Sequence, residues 1–307
     1  MGAEFGMSDG AGDGQGPGPA DRPDQLADLR RRLRRVESRA TAFKAGGSPA
    51  RPRGPAPVVQ DDRSQSLQAL TAGTEHALAD GSKLWLIEQP AADHRETGPR
   101  LNTAFAAAVG KAGHPIRCRL AELYDCMTAD PAPLLFVDLE TAGLSSSPVF
   151  LIGAMVWQGG GLVVRQYFAR NYAEERAILA GYAELAVQRP VLVSFNGKSF
   201  DWPFLKARAA VAGLTLPEPA AHLDLLHESR RRWGATLPNC KLQTLETRIC
   251  GRRRFGDIPG QAIPDAYHRY VHSGRATEMA EVLKHNLLDL LTLADLMARF
   301  AEDGLGR

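Results

Sequence analysis

The chain has 307 residues, enough for one large or two small domains, and a hydrophobic fraction of 44% that can furnish a real core. Its formal net charge of +2 demands no particular partner, and the absence of any apolar run near the roughly 20 residues of a membrane span argues against a membrane protein. Four cysteines (Cys118, Cys126, Cys240 and Cys250), without CxxC pairing or zinc-like spacing, argue against a disulfide scaffold and fit a reduced cytoplasmic protein whose thiols mostly pack.

Met1 to Pro23 is rich in Gly, Pro and Asp, lacks the apolar region of a signal peptide, and has little to bury against the entropy of ordering. Asp24 to Ala42 has helical periodicity: Leu26, Leu29, Leu33 and Val36 form a narrow seam, and six arginines crowd the remaining surface. That helix reads either as a solvated face or as a device for self-association or nucleic-acid anchoring. Gly46 to Pro57 is a Gly/Pro linker. The expected organisation is therefore a tail, helix and linker over 1–65, an N-terminal extension packed on the main domain over 66–130, and a main domain over 131–307.

Within the extension, the pattern predicts a strand at Leu84 to Glu88 and helices near Asn102 to Val109 and Arg119 to Met127. Leu134 to Leu139 is the next strand. Phe150 to Gln158 and Leu162 to Ala169 follow as a hairpin split by Gly159-Gly160-Gly161. Ala173 to Gln188 is helical and Pro190 stops it. Val191 to Phe195 is a short strand ending at Asn196-Gly197, Ser199 to Val211 a helix, Ala221 to Leu225 a last strand, and Thr277 to Phe300 a long helix. The order predicts an α/β domain, a mixed five-stranded sheet flanked by helices.

Chemistry enters with Asp138 and Glu140, two acids inside a strand that otherwise reads as buried. Unpaired buried carboxylates are costly, so such a strand offers them to a metal or another cation. Two apart on a strand, they share a face. Asp201 falls in the first turn of a helix, where an acid also answers the helix dipole and Ser199 is a plausible cap. His285 and Asp289 are four apart on the long helix, as an exposed pair would be. Asp224 is a possible additional acid, or the cap of the helix after it. Arg230-Arg231-Arg232-Trp233 and Arg252-Arg253-Arg254-Phe255 join guanidinium groups to a ring, as phosphate-gripping and base-stacking surfaces do, or as a solvated basic face does.

The ordered set Phe136-Val137-Asp138-Leu139-Glu140-Thr141, Asn196-Gly197-Lys198-Ser199-Phe200-Asp201, and His285 to Asp289 resembles the three motifs of the DEDD 3′-5′ exonucleases of the ribonuclease H-like superfamily. With Phe150-Leu151-Ile152-Gly153, Lys241-Leu242-Gln243-Thr244-Leu245-Glu246, Asp257-Ile258-Pro259-Gly260 and His285-Asn286, it resembles the bacterial YprB-like branch, over roughly Leu134 to Met297. In one departure, His285 stands four residues before Asp289, the spacing typical of members with tyrosine there.

The resemblance implies a DnaQ-like exonuclease fold and hydrolysis of phosphodiester bonds with two divalent ions, Mg²⁺ or Mn²⁺, held by Asp138, Glu140, Asp201 and Asp289. It implies His285 as proton acceptor, and a nucleic-acid partner, DNA or RNA with a single-stranded end favoured. Thr141, Asn196, Lys198 and Lys241 are the candidate substrate contacts. The competing expectations are an endonuclease and a non-catalytic interaction module on the same fold.

Overall fold

The computed structural model describes residues 66–108, 113–114, 133–143 and 146–302. All belong to the unit of residues 60–307. The tail, arginine-rich helix and linker expected before residue 66, the helix expected at Arg119 to Met127, and Cys118 and Cys126 lie outside the described residues. Cys240 is half-buried and Cys250 buried, both as free thiols.

The strands are β1 (Thr74–Ala77), β2 (Lys83–Pro90), β3 (Leu134–Thr141), β4 (Val149–Gln158), β5 (Gly161–Phe168), β6 (Val191–Ser194) and β7 (Ala221–Asp224). They form one mixed sheet in the order β1-β2-β5-β4-β3-β6-β7. A five-stranded sheet was expected, with a separate strand at Leu84 to Glu88, and the sheet has seven strands. The difference is the β1–β2 hairpin, which continues the sheet by pairing β2 antiparallel to β5, from Trp85 opposite Phe168 to Pro90 opposite Val163. The five expected strands are all present.

The helices are α1 (Leu67–Leu70), α2 (Gly98–Ala108), α3 (Glu175–Val187), α4 (Asp201–Val211), α5 (Leu225–Trp233), α6 (Leu242–Arg248), α7 (Ile263–Ser273) and α8 (Thr277–Glu302). The β4–β5 connection is the two-residue turn Gly159-Gly160, both at positive φ, with Gln158 opposite Gly161. Two successive left-handed residues match the twist of the flanking strands, which is why glycines stand there.

Strand β3 organises the core because it is covered on both faces. Leu134 and Phe136 join a hydrophobic cluster with Leu290, Leu293 and Met297 of α8, while Leu135, Val137 and Leu139 join another with Ile178, Tyr182, Leu205 and Tyr267. Alternation along the strand sends odd and even residues to opposite layers, so Asp138 and Glu140 continue the Leu134/Phe136 face. Helix α8 contributes Met279, Val282 and Leu283 to one cluster and Leu290 onward to the other. His285, Asn286 and Asp289 occupy the stretch between. Among the described residues, no helix is long and apolar enough to cross a membrane.

Candidate functional site

Strands β3, β6 and β7 are parallel, and β6 pairs with β3 only from Leu134 to Phe136. Asp138 and Glu140 therefore lie where β3 outruns its parallel neighbour, beyond the carboxyl end of β6. Carboxyl ends of parallel strands are where open α/β sheets place their ligands. A register shift between Glu140 and Thr141 ends the regular pairing with β4, and Thr141 Oγ1 donates to the Gly143 carbonyl at 2.7 Å.

Opposite Asp138 on β4 is Gly153. A Cβ there would sit 2.1 Å from Asn286 Oδ1, so glycine is what lets α8 bring Asn286 against the sheet. Asn286 is fully buried. Its Nδ2 donates to Asp138 Oδ2 at 2.8 Å and to the Asp138 carbonyl at 3.1 Å, while its Oδ1 accepts from Gln166 Nε2 at 2.9 Å. Gln166 also donates to the Leu283 carbonyl at 2.7 Å. A relay of amides thus fixes the Asp138 carboxylate without neutralising it.

The turn from β6 to α4 carries Asp201. Asn196 takes φ 63°, a left-handed conformation that asparagine tolerates, and its N–H donates to Asp224 Oδ1 at 2.8 Å. The Lys198 N–H donates to Asp224 Oδ2 at 3.1 Å, and the Leu226 N–H to Asp224 Oδ1 at 3.1 Å. Buried Asp224 thus caps α5 and pins this turn, the second of its two expected roles. Ser199 is exposed and caps nothing: α4 opens at Asp201 with no side-chain cap, correcting the expectation for Ser199. A Cβ at Gly197 would meet Ser194 Oγ at 2.1 Å, so the turn needs glycine there.

The four expected carboxylates come within electrostatic reach of one another. Burial pushes Asp138 well above the usual carboxylate range, and Asp289, Glu140 and Asp201 push it further; Asn286 opposes them. Glu140 is raised by burial, then by Asp289, Asp201 and Asp257, with Arg254 giving back a little. Burial raises Asp201 to about 7, with Asp224 and Asp289 adding to the rise. Still, among the described residues, no three Asp, Glu, His or Cys side chains converge as a ready-made metal site.

One reason is that Asp289 is already engaged. Arg254 Nη2 contacts Asp289 Oδ1, Arg254 Nε lies 2.5 Å from Glu246 Oε2, and Arg254 Nη1 is 3.2 Å from Asp257 Oδ2. His285 lies between two acids: Nδ1 is 2.9 Å from Asp257 Oδ2 and Nε2 is 3.4 Å from Asp289 Oδ2.

The Arg252–Arg254 run was open to reading as a phosphate grip or a solvated face, and the structure divides it. Arg252 is an internal counterion beside Thr97, Thr292 and Glu246, Arg254 is as above, and Arg253 is exposed. Phe255 is exposed too. In the other cluster Arg231 pairs with Glu228 of its own helix, and Trp233 stacks on Phe300 at 4.8 Å. Lys198 and Lys241 are exposed, and Lys241 precedes α6. An open cleft of about 470 Å³, lined by Gln243, Glu246, Thr247, Arg253, Arg254, Gly256 and Asp257, adjoins the carboxylates through Arg254 and Asp257.

Asp257, Glu246 and Asn286 were given no role from sequence, and Arg254 only a share in the phosphate-gripping or solvated reading of its run. Glu246, Asp257 and Asn286 all sat within quoted motifs. For the arginines the available signal was alternation: in an extended segment, residues 252 and 254 face one way and 253 the other.

The comparisons with known proteins fall on this same region. Residues 135–301 match the family described as the RNase H superfamily. The uncharacterized protein YprB of Bacillus subtilis (strain 168) is 34% identical over 169 residues, which are 53% of this chain and 40% of YprB. The match thus spans less than half of that relative's length. Among solved structures, the family B DNA polymerase from the hyperthermophilic archaeon Pyrobaculum calidifontis aligns with 56% of this chain and 24% of its own, at TM-score 0.45 and 18% identity.

Proposed function

This chain belongs to the RNase H superfamily, on a YprB-like branch, and from that membership we propose that it is a metal-dependent nuclease, a DEDD-type 3′-5′ exonuclease acting on single-stranded ends of DNA or RNA. What supports the reading is that Asp138 and Glu140 from β3, Asp201 from the opening of α4 and Asp289 from α8 are half-buried within electrostatic reach of one another, the first three raised above the usual carboxylate range.

Their donor chemistry fits hard cations, which take carboxylate oxygens and keep part of their water. Mg²⁺ or Mn²⁺ would be held by these four residues, with Asp289 exchanging Arg254 for the metal. Bound in a pair, such ions act as Lewis acids on a phosphodiester and stabilise charge at its attacking and leaving oxygens.

The remaining work falls to the chain itself. Asn286 holds Asp138 in one orientation, so the strand side of the site is preset before substrate arrives. His285, at its Nε2, accepts the proton of the attacking water. Thr141, Asn196, Lys198 and Lys241 contact the substrate strand, and the cleft beside Arg253 gives that strand a basic wall. Phosphate contacts of this kind favour binding without reading sequence.

A second reading, a nucleic-acid or protein interaction module without hydrolysis, draws on the Arg254–Asp289 pair, which neutralises part of the site with no metal at all. One assay separates the readings. The protein is incubated with end-labelled single- and double-stranded DNA and RNA in Mg²⁺, Mn²⁺ or chelator. A ladder shortening from the 3′ end, lost in chelator and in Asp138→Ala, supports the exonuclease. Internal cuts support an endonuclease, and binding without any metal-dependent product supports the module.

A further inference from the structure

We propose that Asp257 is a positioning residue that sets the tautomer and orientation of His285, and that Arg254 in turn anchors Asp257. The proposal rests on the reading of His285 as proton acceptor, and its geometry touches the four carboxylates only at Asp289. His285 is 7% exposed, so its ring nitrogens must find partners inside the protein. Nδ1 lies 2.9 and 3.0 Å from the two oxygens of Asp257, a bifurcated contact, whereas Nε2 lies 3.4 Å from Asp289 Oδ2.

An ionised carboxylate only accepts hydrogen bonds, so the proton between Asp257 and the imidazole belongs to Nδ1. The neutral ring then carries its lone pair on Nε2, which faces Asp289 and the acid set. A histidine held this way by a carboxylate is both oriented and restricted to one tautomer.

Asp257 is itself held. Arg254 Nη1 reaches its Oδ2 at 3.2 Å while the rest of the guanidinium is fixed by Glu246 and Asp289. Ile258 packs against the core, and Pro259 leads into the 3-10 turn Gly260–Ala262 that opens α7. A carboxylate on a segment anchored at both sides does not swing freely. On α8 alone, His285 would have only Asp289, one turn away and beyond good hydrogen-bond distance, to hold it.

The first test reads the imidazole without any catalysis. Full-length protein labelled with ¹⁵N-histidine is studied by long-range ¹H–¹⁵N correlation at pH 9, where an ordinary imidazole is neutral, with His285→Gln identifying the signal. The wild type should show His285 with its proton on Nδ1. Asp257→Ala should convert it to the Nε2–H form or a mixture, and Asp257→Asn, whose amide oxygen still accepts, should restore Nδ1–H. An Nε2–H tautomer in the wild type, or no change in Asp257→Ala, overturns the proposal.

The second test reads hydrolysis. Asp257→Ala should lower kcat about 10- to 100-fold with KM unchanged, Asp257→Asn should recover part of it, and adding Asp257→Ala to His285→Gln should cost nothing further. A residue that merely supports the fold would shift the melting temperature and leave the tautomer alone. If the tautomer behaves as expected but no substrate is cut, the nuclease reading fails and the positioning role stands. If cutting is normal and the tautomer does not respond, the positioning role fails and the nuclease reading stands.

Discussion

The site has two acidic walls, and only one carries its own cations. On the side built from α6, the segment before α7 and α8, Glu246, Asp257 and Asp289 share Arg254, with Arg252 adding to Glu246. On the strand side, Asp138 is met by the neutral amide of Asn286, and Asp138, Glu140 and Asp201 are all driven above the usual carboxylate range. Both walls are rich in carboxylates, but the paired wall brings arginines of its own to them, whereas the acids of the strand wall have a neutral amide beside them. In the reading proposed above, it is unmatched acid density, and not acid density alone, that calls for a cation.

Removing charge from the two walls should act in opposite directions. Arg254→Gln strips the paired wall of its shared cation and leaves Glu246 with Arg252 alone and Asp257 and Asp289 with no arginine. Breaking a buried ion pair from one side costs about 3–5 kcal/mol, so this variant should show the largest loss of stability in urea unfolding. Gly153→Ala, at the seam between the walls, places a methyl group against Asn286; overpacking of this kind costs about 1–3 kcal/mol, and the Asp138–Asn286 bond should be lost with it. Asp138→Asn removes repulsion from the strand wall and should stabilise the metal-free protein by about 1 kcal/mol. A loss of similar size there would erase the contrast between the walls.

The pH dependence gives the most specific effect. Asp201 is raised to about 7 in the folded protein from near 4 when exposed. Between those values the folded state binds more protons than the unfolded one, so the contribution of Asp201 is complete below pH 4 and is lost as pH rises through 7. In chelator, the melting temperature should fall from pH 5 to pH 8 by more in the wild type than in Asp201→Asn. Equal falls in the two proteins would remove Asp201 from the repelling set.

The strand wall was legible in the sequence, and the paired wall was not. Two acids in a buried strand are a local anomaly visible in eight residues, and the glycine and asparagine of Asn196-Gly197 mark the turn that delivers Asp201. Arg254 meets Asp289 across 35 residues and Glu246 across eight, and His285 meets Asp257 across 28. Ion pairs at such separations leave no trace of their partners in the sequence, and alternation alone sets Arg252 and Arg254 apart from exposed Arg253. The β1–β2 hairpin was half visible: Leu84 to Glu88 read as a strand, but β1, with all four residues exposed, has no alternation to betray it. Ser199 had the right chemistry for a cap, yet the Asn196-Gly197 turn carries it to the surface and α4 opens without it.

Binding of a divalent cation to the strand wall is tested most directly by titrating the full-length protein with Mn²⁺, following free Mn²⁺ by electron paramagnetic resonance and the melting temperature in parallel. Wild-type protein should take up Mn²⁺ and melt at a higher temperature as it does so, and Asp138→Asn should lose most of both effects while remaining folded. No uptake by the wild type, or uptake and a melting shift that survive unchanged in Asp138→Asn, would contradict the assignment of these carboxylates as cation ligands.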